Sequence, residues 1–287
     1  MNEFQQIPGI SLSYKGKVRD IYETKNQKYL LIFTTDRISA FDFVFDDTIL
    51  GRGVLLNKLS LFWFNMTKDI VKNHIVDIKE LKINELGQES RDRCMLVKKT
   101  KVVPIEAIVR GYLAGSAWEF YKKTKMIDNK KSNILFKQFE KFKEPIFTPS
   151  TKAQKGSKDK NISFDEMKNL IGDQLSETIK DISIKLYNFA HTFAIKKGII
   201  IADTKFEFGI DEDGNIILID ELFTPDCSRF WLYDNKTNTI DYNSFDKQFL
   251  RNYLIDIKWK NNQIKFPQEI KKELMNRYNL AYDLLTH

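Results

Sequence analysis

A chain of 287 residues allows one large or two ordinary domains, and 42% hydrophobic with 30% charged residues is the mix of a globular protein with a substantial core. The net charge of +7, from 46 basic and 39 acidic residues, suits a polyanionic partner; the most basic stretch, 122–144, has few arginines and no repeated stacking pattern, which favours small nucleotides over nucleic acid. Cys94 and Cys227 cannot frame a disulfide scaffold, no apolar run approaches a membrane span, and MNEFQQIPGI lacks the basic start and apolar core of a secretory signal, so a cytoplasmic location is expected.

The first third reads mainly as strands. Residues 13–23 and 29–34 flank a turn at 24–28, and 41–49 follows. In YKGKVRDIYE, Lys15, Lys17 and Arg19 fall on one strand face and Gly16 permits close backbone approach. Such a strand could cover phosphates, or be a charged edge that discourages aggregation. TTDRISAFDF sets Asp36 against Arg37, read as a local ion pair, beside Ser39 and Asp42. Leu55, Leu59, Phe62, Met66 and Ile70 keep helical spacing. A strand is expected over 94–108, with Pro104 at an edge or bulge.

The middle is mixed. VRGYLAGSAWEF ends a strand at Arg110, passes two glycines and opens a helix at Ser116, with Ser116 and Glu119 spaced as a capping box. A helix N-terminus beside an arginine is a ready anion site. Ser163 and Glu166 repeat the capping spacing after a polar segment at 148–160, and a long helix follows with Leu175, Ile179, Ile182, Leu186, Phe189 and Phe193 on one face. Two amphipathic helices, near 244–254 and 267–285, close the chain. Strands first and helices mixed with strands later imply an α+β architecture, divided near 101–106 into units 1–104 and 105–287.

The hairpin between carries the chemistry. In IIIADTKFEFGIDEDGNIILIDELFTPD, strands 199–210 and 215–222 flank a turn at Asp213-Gly214. Asp203, Lys205 and Glu207 share one face, and a turn centred on that dipeptide sets Glu207 opposite Asp220. Facing carboxylates repel, so either one holds a proton with a raised pKa or a cation sits between them, and oxygen ligands favour Mg²⁺ or Ca²⁺. A solvent-facing hairpin with scattered acids is the alternative. Lys205 could neutralise one acid or meet an anionic substrate. Arg229, in TPDCSRFW, closely follows the hairpin and could return to the same cleft. The sequence has no Walker or dinucleotide glycine motif, no zinc spacing and no nucleophile elbow.

GKVRDIYE, DRISAFD, LSLFWF, VVPIEAIVRGYLAGSAWEFY, FTPSTKA, ADTKFEFG and IDELFTPDCSRFW occur in this order. Together they resemble the SAICAR synthetase family, in its longer yeast-like branch, over about residues 14–231. The resemblance implies a β-rich N-terminal domain that covers ATP, and a larger α+β domain with C-terminal helices. It implies an ATP- and Mg²⁺-dependent ligase that joins L-aspartate to the carboxylate of carboxyaminoimidazole ribonucleotide in purine biosynthesis through an acyl phosphate, without nucleic acid or membrane partners. On the matching positions, Glu207 and Asp220 are the metal and nucleotide carboxylates, and Lys15 and Lys17 contact the nucleotide phosphates. Asp203 and Lys205 are the catalytic pair beside the imidazole, and Arg110, Ser116 and Arg229 cradle the ribonucleotide phosphate. The family continues FTPSTKA with an acid where this chain has Gln154, which is expected to alter loop contacts rather than chemistry. The nearest rival is a small-molecule kinase, which would phosphorylate a hydroxyl without aspartate; an RNA-binding protein would need stacking aromatics beside its basic residues.

Overall fold

The computed structural model describes residues 8–41, 43–81, 87–127, 130–131, 134–152, 159–242 and 245–287, so Asp42 and Gln154 lie outside the described residues. The N-terminal part comprises β1 (Ser11–Lys15), β2 (Arg19–Glu23) and β3 (Tyr29–Thr34), a separate hairpin β4 (Arg37–Ala40) and β5 (Phe43–Thr48), helix α1 (Arg52–Met66), β6 (Ile75–Val76), a short α2 (Gln88–Asp92) and β7 (Cys94–Lys98). Five of these strands pair antiparallel in the order β1-β2-β3-β7-β6. The remainder begins with β8 (Lys101–Tyr112), α3 (Gly115–Thr124), the two-residue β9 (Met126–Ile127) and β10 (Lys130–Lys131), β11 (Lys141–Phe147) and β12 (Ser150–Thr151). Helices α4 (Phe164–Ile171) and α5 (Asp173–Lys196) precede β13 (Ile199–Ile210), β14 (Ile216–Ile219), β15 (Ser228–Asp234) and β16 (Thr239–Asp241), and α6 (Asp246–Asp256) and α7 (Gln268–Thr286) close the chain. The second sheet runs β11-β8-β13-β15-β16, with β12 added to β8 and β14 to β13. The fold is α+β, as the order of elements implies.

Strand β13 is the centre of that sheet. It pairs with β8, β14 and β15 and is buried along nearly its whole length, which is why it reads as an almost continuous run of Ile and Phe. Against it pack Leu186 and Tyr187 of α5 and Trp63 of α1, with Phe206, Phe208 and Phe223, all inaccessible to solvent or nearly so. A second core joins the two ends of the chain: Ile38, Phe45, Ile49 and Leu56 pack with Leu250, Leu254, Phe266, Leu274 and Tyr278.

Several local expectations change. Residues 13–23 are two strands rather than one. The chain turns back at 16–18, with the Gly16 amide donating to the Arg19 carbonyl at 2.8 Å, and Lys15 lies opposite Asp20. Lys15, Lys17 and Arg19 therefore do not share one strand face. The strand expected over 94–108 divides into β7 and β8, because β7 belongs to the first sheet and β8 to the second. Pro104 does sit at a bulge, where the β8–β13 register shifts between Glu207 and Gly209. Ser163 caps α4 with both halves of the capping box formed with Glu166. Ser116 does not cap α3: Ala114 holds the cap position without a side-chain bond, and Ser116 lies inside the first turn. Among the described residues, no helix is long and apolar enough to cross a membrane.

Candidate active site

Asp203 is flanked by an arginine on each neighbouring strand. Its Cα partners are Arg110 on β8 and Arg229 on β15, and its Oδ2 accepts from Arg110 at 3.1 Å and from Arg229 at 2.7 Å. Arg110 also donates Nε to Thr148 Oγ1 at 2.9 Å and reaches Ser116 Oγ at 3.4 Å. Burial pulls the Arg110 pKa below its ordinary value; Asp203 opposes that and Arg229 adds to it. Even so lowered, a guanidinium stays charged at neutral pH. Gly115, at φ 55°, is where a β-carbon would overlap the Arg229 guanidinium, so a glycine there lets Arg229 lie across the start of α3. Two guanidiniums and a serine hydroxyl around one carboxylate make a cation-rich cradle, and the four sequence-predicted residues Asp203, Arg110, Ser116 and Arg229 meet in it.

Two and four residues further along the same strand face stand Lys205 and Glu207. Lys205 Nζ bridges Glu106 and Glu207, at 2.8 Å to each, and Lys152 also pairs with Glu207. The carboxylate opposite Glu207 is Glu106 of β8, and its partner on β14 is Ile219, so the expected Glu207–Asp220 register is off by one. The cause is the turn. The Asp211 amide bonds the Asn215 carbonyl and Gly214 takes φ 82°, giving a three-residue loop in place of a symmetric two- or four-residue one. Asp220 then leaves β14 at φ 67°, and it still feels the Glu207 charge.

The two acids respond in opposite directions. Burial and the neighbouring Glu207 push the Asp220 carboxyl up to about 6, with Arg19 and Lys205 only partly compensating. Glu207 is also buried, but Lys205 and Lys152 overcome that and hold it well below the usual carboxylate range. Lys205 is raised well above an ordinary lysine, since the charges of Glu207, Glu106 and Asp220 outweigh its burial; it is a fixed cation at neutral pH.

The glycine turn reaches this cluster through Arg19 rather than through Lys15 or Lys17, which are both exposed. Arg19 makes a bidentate pair with buried Glu221, its Nη1 at 2.7 Å, and Thr224 Oγ1 donates to the same carboxylate. Arg37 fastens the turn from outside, bonding Asp20 at 2.6 and 3.0 Å and the carbonyls of Gly16 and Lys17. Asp36 and Arg37 are thus not a local pair: Asp36 is fully buried against Arg93, 2.6 Å away, because the backbone sends the adjacent side chains to different layers. Sequence reasoning passed over Glu106, Lys152 and Glu221. Glu106 was detectable from its even spacing to Arg110 on one strand, and Lys152 lies within the FTPSTKA stretch.

Among the described residues, no three His, Cys, Asp or Glu side chains gather as a metal cluster. Two carboxylates nevertheless fit Mg²⁺, which keeps several waters and is commonly held by one or two acids plus substrate phosphates. Within the described residues the Asp220 carboxylate has no hydrogen-bond or ion-pair partner of its own, and its pKa is raised by burial first and by the neighbouring Glu207 charge second. The donor set is hard oxygen, as a divalent cation of this kind requires.

The family model described as SAICAR synthetase matches residues 12–266. A phosphoribosylaminoimidazole-succinocarboxamide synthase from Thermodesulfovibrio yellowstonii is 46% identical, covering 98% of this chain and 97% of that protein. The Saccharomyces cerevisiae SAICAR synthase solved in complex with SAICAR superposes with a TM-score of 0.88 at 42% identity, over 99% of this chain and 97% of that one. A type-2 SAICAR synthetase solved in complex with ADP, 24% identical, shares the fold at a TM-score of 0.70, over 95% and 97% of the two chains. With the arginine cradle and the acid cluster lying on one strand inside this fold, the match over nearly the full length has one meaning: the chain belongs to the SAICAR synthetase family, in its yeast-like branch.

Proposed function

We propose that this chain is the cytoplasmic ATP-dependent ligase that condenses L-aspartate with carboxyaminoimidazole ribonucleotide, giving SAICAR, ADP and phosphate in purine biosynthesis. The observation that carries the reading is the placing of Asp203, Lys205 and Glu207 on one face of β13, with Lys205 between an arginine cradle and a carboxylate cluster. Four strand residues span roughly 13 Å, so an anionic substrate and a nucleotide phosphate can occupy the two ends with their reacting groups meeting between them.

In this reading Arg110, Ser116 and Arg229 bind the ribonucleotide phosphate, and Asp203 orients the two guanidiniums and faces the imidazole. Glu207 and Asp220 would hold Mg²⁺, which supplies charge neutralisation for the nucleotide phosphates when bound. Lys15 and Lys17, on the exposed turn of the 1–104 unit, reach over the nucleotide, and Arg19 fixes that turn to Glu221. The 105–287 unit carries the substrate side. The γ-phosphoryl group passes to a carboxylate oxygen of the ribonucleotide, releasing ADP. The neutral amine of aspartate then attacks the acyl carbon; a C–N bond forms, the C–O bond to phosphate breaks, and the amine proton leaves with phosphate. Lys205, permanently cationic, stabilises the negative charge that develops on the carboxylate oxygens. Phosphoryl transfer of this kind needs positioning and neutralisation more than covalent help.

ADP release is expected only when both L-aspartate and the carboxylated ribonucleotide accompany Mg²⁺-ATP. A coupled ADP assay with single omissions checks this, and rapid phosphorylation of a hydroxyl without aspartate would overturn the ligase reading in favour of a kinase.

A further inference from the structure

Partway along its length, strand β13 changes which of its faces meets the core. Ile199 and Ile201 pack into the core that includes Leu186 and Tyr187 of α5, whereas Ile200 and Ala202 lie on the other face beside Trp231. Further on the parity is reversed: Phe206 and Phe208 join the α5 core, and Asp203, Lys205 and Glu207 take the other face. The switch is a β-bulge. Ile201 pairs with Phe230, and the next paired residue, Asp203, with Arg229, so Ala202 is an extra residue on β13. In the register without it Asp203 would stand opposite Ser228 and point into the core as Ile201 does, since a slip of one residue exchanges the two faces. The bulge is therefore what turns the three site residues of β13 away from the core and brings Asp203 to Arg229.

One side chain of α5 holds that bulge from behind. Buried Tyr187 donates its hydroxyl to the Ile201 carbonyl at 2.7 Å. Its oxygen also lies against Gly111, the residue after Arg110, where a β-carbon would overlap it. His191, four residues further along α5, stacks on the Tyr187 ring with centroids 5.5 Å apart and planes 7° from parallel. Burial first, then Tyr112 and the Asp203 charge, raise the phenol pKa, so the hydroxyl keeps its proton and stays a donor at neutral pH. We propose that Tyr187 is a positioning residue for the ribonucleotide phosphate cradle: from the sheet face away from the substrate, one phenol sets Arg229 through the bulge and Arg110 through Gly111. The proposal rests on the ligase reading above. Both guanidiniums reach Asp203 from neighbouring strands, so their spacing follows the backbone at these two points. Without the hydroxyl, a buried carbonyl loses its donor and the close approach at Gly111 is left unfilled. The bulge then loosens, and a displacement of even 1 Å weakens a site that depends on two forks meeting one phosphate.

The test uses the full chain with Mg²⁺-ATP, the ribonucleotide and L-aspartate. Tyr187→Phe keeps the ring and its packing and removes only the hydroxyl; it is expected to raise the ribonucleotide KM about tenfold. The ATP KM, and kcat at saturating ribonucleotide, should stay within about threefold of the unmodified protein. Gly111→Ala, which sets a methyl group against the phenol oxygen, should give the same selective defect. Because the two residues act at one contact, the double variant should lose less than the product of the single losses. Leu186→Val loosens the same buried stretch of α5 without touching a hydroxyl, and is expected to lower Tm while leaving the ribonucleotide KM within about threefold. A ribonucleotide KM unmoved in Tyr187→Phe would overturn the proposal, as would an equal rise in Leu186→Val or single losses that multiply in the double variant. If the unmodified protein makes no SAICAR from the three substrates, the ligase reading fails instead, and that control tells the two failures apart.

Discussion

Glu207 is buried and Asp220 partly buried, and the charges around each decide the sign of the shift. The Asp220 carboxyl, ordinarily near 3.8, is pushed up to about 6. Its folded state therefore binds the proton more tightly than the unfolded chain does. The stability it lends is complete below about pH 3.8 and is lost as pH rises through about 6. Glu207 is the reverse: its value is lowered from 4.5, so its contribution is present above that pH and is lost in acid. Asp220→Asn is thus expected to be more stable than the unmodified protein at neutral pH, with the difference in Tm growing between pH 4 and pH 6 and then levelling. Glu207→Gln should be less stable at neutral pH, since it strands Lys205 and Lys152. Both substitutions should lower turnover at least about 100-fold through lost charge neutralisation. Thermal melts across pH and steady-state rates check the pair; near-normal turnover in either variant would put the metal elsewhere.

At the level of elements, the junction from β8 to α3 is the most exacting part of the site. Arg110 ends the strand side, Ser116 opens the helix side, and Gly115 between them must hold φ 55° while Arg229 crosses its α-carbon. Gly115→Ala adds a methyl group where that guanidinium lies, with about 1–2 kcal/mol of left-handed backbone strain. The expected outcome is a ribonucleotide KM raised about tenfold or more with the ATP KM nearly unchanged. Kinetics with each substrate varied in turn would decide it. An ATP defect with normal ribonucleotide affinity would mean that Arg229 serves the nucleotide instead.

Across the whole molecule, Arg52 joins parts of the chain that are far apart in sequence. Wholly buried on α1, it pairs with Asp226 before β15, donates Nε to Tyr278 of α7 at 2.7 Å and donates to the Arg37 carbonyl at 2.8 Å. Arg52→Ala removes one partner of a buried ion pair and leaves Asp226 without its guanidinium. A loss of about 3–5 kcal/mol is expected in urea unfolding. A loss below about 1 kcal/mol would show that the ends of the chain are held by the shared apolar core alone. That core, in which Phe45 and Leu56 meet Leu250 and Tyr278, is also what sets α6 and α7 against β5 and α1.

Local physics was legible in the sequence wherever a short pattern suffices. The Ser163 capping box, the amphipathic α5, the hairpin at 199–222 and the alternation that puts Asp203, Lys205 and Glu207 on one face each depend on residues within a turn or a strand of one another. Family motifs added the identities of Arg110, Ser116 and Arg229, and the structure gathers them around Asp203. What remained hidden depends on neighbours distant in sequence or on a single backbone angle. One left-handed glycine moved the hairpin register, so that Glu207 faces Ile219 and Glu106 rather than Asp220. One turn at 16–18 divided the basic strand and sent Arg19 to Glu221 while Lys15 and Lys17 stayed outside. Asp36 turned from its neighbour Arg37 to Arg93, because a buried carboxylate takes whichever cation the tertiary packing delivers into the dry interior. Composition and periodicity determine which elements form and which face each buries. Which charge meets which is decided only when the sheets and the C-terminal helices close around them, since burial makes each unpaired charge costly and makes the partner's location a property of the whole fold.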